Sequence, residues 1–86
     1  QNFPNPFNPS TTIKFTLSVD SKVNMKVYNV LGQEITTLIN SSYVAGSHEV
    51  KFNASNLNSG VYFYKLIVNG IDGSSFSSVK KMILAK

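Results

Sequence analysis

Residues 61–68 read VYFYKLIV, an apolar and β-branched run interrupted only by Lys65. A run this short, with this residue bias, is the signature of a strand. Asn69-Gly70 follows it, a pair that favours a type I′ hairpin turn, with a loop reaching Ser75 as the alternative. Phe76 to Leu84 then returns as the final strand.

Upstream of this run the chain keeps the same grammar. The polar stretch 53–60, NASNLNSG, carries one apolar anchor, Leu57, and its length suits passage from one sheet to another. Before it, His48, Val50 and Phe52 alternate with Glu49 and Lys51. Ile13, Phe15 and Leu17 alternate with Lys14 and Thr16, and Val23, Met25 and Val27 with Asn24, Lys26 and Tyr28. Residues 18–22 and 29–33 have turn composition, and Gly32 is free to take positive φ. Residues 34–39 read as a strand led by Ile35 or as a short helical turn, and residues 40–47 as a polar loop.

The sum is about seven short strands with turn signals between them and no convincing helical period. The fold predicted is all-β, an antiparallel immunoglobulin-like β-sandwich. Its core must hold without disulfides, because the chain has no cysteine. All three prolines lie in residues 1–10, QNFPNPFNPS, and exclude a helix there. That segment reads as a lead-in from an upstream cargo domain, docked by Phe3 and Phe7, with residues 11–86 forming the sandwich. With a start at Gln1 rather than Met, the chain reads as the tail of a longer precursor.

Catalytic chemistry finds no support. The acids Asp20, Glu34, Glu49 and Asp72 lie on separate turns and strands, without a spacing that enforces acid/base work. His48 is the sole histidine and reads as a half-buried strand residue, not a metal ligand. The serines lie in no nucleophile-elbow context. No catalytic residue, cofactor or metal is expected. The net charge of +4 comes from lysines alone, scattered except near the end, which argues against nucleic acid. No apolar run approaches the ~20 residues of a membrane-spanning helix. Tyr62 and Tyr64 share a face and, with Tyr43, could stack on a sugar, but two-residue spacing is also how a core is filled.

Five blocks occur in order: NFPNPFNPSTTI (2–13), KVYNVLGQEI (26–35), AGSHEV (45–50), SGVYFYKL (59–66) and KKMILAK (80–86). Together they resemble the type A C-terminal sorting domain of the type IX, or Por, secretion system. The resemblance covers essentially the whole chain. It implies a secretion signal of certain Gram-negative bacteria that directs a cargo across the outer membrane. It further implies transit through the periplasm, then the cell surface or the medium. The implied partners are the outer-membrane translocon with its shuttle protein, a sortase-like protease that removes the domain after export, and the upstream cargo domain. The domain itself is expected to be a monomer.

The residues implied in translocon recognition are the glycine-x-tyrosine pair, Gly60 and Tyr62, and Lys80, Lys81, Met82, Ile83, Leu84 and Lys86 of the lysine-led end. One departure from the family pattern is the stretch 69–78, long enough to alter the register of the last strand. Overlap with immunoglobulin-like domains of flagellar hook-capping proteins keeps a structural spacer open as a second reading, and carbohydrate binding is a third. The residues supply a physical basis for the first. A final edge strand offers backbone groups that a partner can continue, and Val79 and Ile83 opposite Met82 and Leu84 make this one apolar on both faces.

Overall fold

The computed structural model describes residues 2–3 and 9–85. Its strands are β1 (Asn2–Phe3), β2 (Ser10–Leu17), β3 (Ser21–Asn29), β4 (Glu34–Tyr43), β5 (Gly46–Asn53), β6 (Gly60–Gly70) and β7 (Ser75–Leu84). They form two antiparallel sheets, one in the order β1-β2-β5 and the other β4-β3-β6-β7. The chain changes sheet at each of the connections β2 to β3, β4 to β5 and β5 to β6, the last being the polar crossing anticipated from its length. This is the immunoglobulin-like sandwich.

Period-2 alternation decides which side chains enter the space between the sheets. The three-stranded sheet contributes Ile13, Phe15, Leu17 and Phe52. The four-stranded sheet contributes Val23, Met25, Val27, Ile39, Tyr62, Tyr64, Met82 and Leu84. His48 is half-buried at the margin of this core, its ring 5.5 Å from that of Phe15 and 4.9 Å, edge-on, from that of Tyr43. The Tyr62 hydroxyl donates to the Asn58 carbonyl at 2.8 Å, across the corner where the chain enters β6. That contact matches the tyrosine corner of immunoglobulin-like sandwiches and fixes the entry to the longest strand.

Two local expectations are corrected. Of the two readings of 34–39 the strand holds, and the loop expected at 40–47 is strand as far as Tyr43 and again from Gly46. Register shifts between Met25 and Lys26 and between Val27 and Tyr28 disrupt the alternation of β4, which as an edge strand also ends in polar residues. The second correction is the final hairpin. Asn69 still pairs with Ser75, so the reversal falls at residues 71–74 rather than at Asn69-Gly70. Asp72 Oδ1 accepts from the Ser74 N–H at 3.0 Å and from Ser74 Oγ at 2.6 Å, and the Ile71 N–H donates to the Asp20 carbonyl at 2.8 Å. These bonds place the turn beyond the Asn-Gly pair. The register from Gly60↔Leu84 to Asn69↔Ser75 is unbroken, so the longer hairpin does not shift the last strand. The expected docking of Phe3 and Phe7 lies outside the described side chains.

Candidate partner-binding site: the final strand

β7 closes the four-stranded sheet as an edge strand, hydrogen-bonded to β6 on one side. Its side chains divide by parity. Met82 and Leu84 point inward and are fully buried, opposite Tyr62 and Gly60. Val79, Lys81 and Ile83 point to the outer face, with Val79 59% and Ile83 37% exposed. Lys80 shares the inward parity and pairs with the buried Tyr64, but on this edge strand it is exposed. A groove there is lined by Ile13, Phe15, Tyr64, Leu66, Phe76 and Lys80.

The residues singled out from sequence therefore separate into two roles. Tyr62, Met82 and Leu84 are core residues, and in the folded domain they hold the strand in place rather than present themselves to a partner. Gly60 takes φ of 155°, a conformation that glycine adopts without strain, and it pairs with Leu84 at the end of the ladder. Lys80, Lys81 and Ile83 are accessible. Lys86 lies outside the described residues. The tyrosine pair offers no sugar-stacking platform, because both rings are inside.

Tyr64 is 2% exposed, and its hydroxyl, lining the inter-sheet groove, has no hydrogen-bond partner among the described residues. Burial pushes its ionisation above the ordinary tyrosine value, because the phenolate would lose its hydration. Among the described residues, no group of three or more histidine, cysteine, aspartate or glutamate side chains is placed to hold a metal ion. No described helix is long and apolar enough to cross a membrane.

The chain matches the family of secretion system C-terminal sorting domains over residues 1–85. It belongs to that family. The sorting domain is the C-terminal signal of the type IX secretion system, and it is not itself a catalytic unit. The signal implies export across the outer membrane. Among solved structures, the fold is similar to part of the crystal structure of dimeric latent PorU from Porphyromonas gingivalis. That match has a TM-score of 0.78 and 23% identity, and it covers 99% of this chain and 9% of that one. No curated protein matches the chain.

Sequence reasoning missed what β6 and β3 place beside β7 on the outer face. Register puts Val61 next to Ile83, Phe63 next to Lys81, and Lys65 next to Val79. On β3, Tyr28 stands opposite Phe63 and Lys26 opposite Lys65. The signal was present in VYFYKLIV itself. An antiparallel strand solvated on one side alternates apolar with polar, and this one is apolar at both parities.

Proposed function

We propose that the secretion machinery reads the folded domain at its last strand, through the accessible Lys80, Lys81 and Ile83, with Lys86 continuing the lysine-led end. Tyr62, Met82, Leu84 and Gly60 keep that strand in register. The observation that carries this reading is the division of β7: Met82 and Leu84 are locked into the core, while Lys80, Lys81 and Ile83 stay accessible at a sheet edge. Edge strands with such side chains are suited to recognition by strand addition or face docking. Residues 1–10 join an upstream cargo, which passes the periplasm and then the outer membrane, reaching the cell surface or the medium. The translocon and its shuttle protein are the direct partners. A sortase-like protease removes the domain after passage. The domain acts as a monomer.

The test is a fusion of this chain to the C-terminus of a periplasmic reporter in a bacterium with a type IX system. The reporter is expected outside the cell in the parent and retained in a strain lacking the translocon. Substituting Lys80, Lys81 and Ile83 together by serine is expected to retain it in the parent, with the domain still folded by circular dichroism. Equal distribution of the unsubstituted fusion in both strains would refute the sorting reading and favour a structural spacer.

A further inference from the structure

The two outer faces of the sandwich differ in chemistry. On the three-stranded sheet the outward pairs between β2 and β5 are Thr12–Lys51, Lys14–Glu49 and Thr16–Ser47, all polar. That is an ordinary solvated face. The four-stranded sheet presents Tyr28 on β3, Val61, Phe63 and Ile67 on β6, and Val79 and Ile83 on β7. Lysines are interleaved with them: Lys22 and Lys26, Lys65, and Lys81. Among the described residues, the same face of this sheet carries one acid, Glu34 on β4, engaged with Lys26 at 3.1 Å.

Two details make this face costly unless something covers it. Lys26 and Lys65 are directly opposite on neighbouring strands, an arrangement that like charges disfavour. At the end of β3, the turn 30–33 holds Val30 at 65% and Leu31 at 78% exposure. That turn is not loose. Asn29 Oδ1 accepts from the N–H groups of Leu31 at 2.9 Å and Gln33 at 3.0 Å, and Asn29 Nδ2 donates to Gln33 Oε1 at 2.8 Å. The Asn29 N–H donates to the Gln33 carbonyl, the Gly32 N–H donates to the Asn29 carbonyl, and Gly32 takes φ of 79°. Two large aliphatic side chains are held out to solvent on a pre-organised support. Pairing of Asn29 with Tyr62, and of Tyr62 with Met82, sets the turn at the same end of the sheet as Val61, Phe63 and Ile83.

We propose that this outer face, with Val30 and Leu31 at its rim, docks onto a protein surface of the secretion machinery that interleaves acidic with apolar side chains. The proposal rests on the sorting reading and names the face by which that reading is carried out. Charge decides the occupant. Four lysines against one glutamate call for acidic groups across the interface, and a second copy of this chain would set lysines against lysines. An anionic bilayer would satisfy the lysines. It would take up Val30 and Leu31 on their turn, but Tyr28, Phe63 and Ile83 lie side by side on three paired strands rather than on a protruding segment and would stay at the headgroup level. A partner protein satisfies both.

Lys65→Glu separates docking from folding. It turns the Lys26–Lys65 opposition into an attractive cross-strand pair, so Tm is expected to hold or rise. It also reverses the charge at the centre of the face, so export of the reporter fusion is expected to fall by about tenfold or more. Val30→Ser with Leu31→Ser is expected to impair export similarly at unchanged Tm. Lys51→Glu, the same charge change on the polar face, is expected to export normally. If the unsubstituted fusion is exported and both face variants follow it, the docking face is refuted while the sorting reading stands. If the unsubstituted fusion is not exported, the sorting reading itself has failed. Phosphatidylglycerol vesicles supply the remaining arm. Binding of the wild-type chain to them that Lys65→Glu abolishes would overturn the protein partner in favour of a lipid one.

Discussion

Tyr64→Phe is expected to stabilise the domain. The ring of Tyr64 belongs to the core, but its hydroxyl is buried with no partner among the described residues. A hydroxyl moved out of water without a replacement bond costs about 1–3 kcal/mol. Phenylalanine keeps the ring and removes the oxygen, losing a few atom contacts worth about 0.1–0.2 kcal/mol each. The net gain is therefore about 1 kcal/mol, which for a domain of this size raises Tm by about 4–8 °C. Calorimetry at neutral pH measures it directly.

The same residue predicts the alkaline limb. Burial raises the folded-state ionisation of Tyr64 above its ordinary value, so the folded chain holds this proton where the unfolded chain has released it. Stability then falls as pH rises past about 10, the unfolded tyrosine value. Below that pH both states are protonated and the group contributes nothing to the slope. Tyr64→Phe should flatten the fall relative to wild type. A lower Tm for the variant, or an unchanged alkaline slope, would show that the hydroxyl has a partner and the reasoning is wrong.

Met82→Ala removes a side chain that is fully buried between Tyr62 and the facing sheet, and is expected to cost about 2–5 kcal/mol by chemical denaturation. Asp72 has its ionisation lowered, first by the Ser74 hydroxyl and then by the Ser74 N–H. Its contribution is present above the ordinary aspartate value and is lost as pH falls through the lowered one, so Asp72→Ala should reduce the acid dependence of stability, measured by thermal melts across the acid range.

Alternation makes most of the sandwich readable in the sequence. Ile13, Phe15 and Leu17, or Val23, Met25 and Val27, are core because a pleated strand sends every second side chain the same way. It failed where something non-local set the geometry. In β4 the shifted register against β3 breaks the period, and nothing in residues 34–43 alone announces a bulge. In the final hairpin Asp72 and Asp20 supply the decisive hydrogen bonds, and Asp20 is distant in sequence. The site was half legible. The lysine-led last strand and its two-sided apolar character were readable, but the burial of Tyr62, Met82 and Leu84 follows from which sheet faces them. The outer-face alignment of Tyr28, Phe63 and Lys81 requires the β3-β6-β7 order, which no single strand encodes.

That arrangement bears on how a signal of this kind must be dissected. Met82 and Leu84 make β7 part of the core, while Lys81 and Ile83 on the same strand face outward. Truncating the chain at residue 79 removes both sets together. A truncated cargo that stays inside the cell would then be explained equally by an unread signal and by an unfolded one, since losing two fully buried side chains removes several kcal/mol from a domain with about 5–15 kcal/mol in hand. Strand deletion therefore cannot locate recognition in this fold. Substitutions confined to the outward parity can, because they leave the inward ladder of Met82 against Tyr62 and Leu84 against Gly60 unchanged. Lys65→Glu is the sharpest of them. Its Tm is expected to hold or rise while export falls, and a misfolding artefact cannot produce that combination.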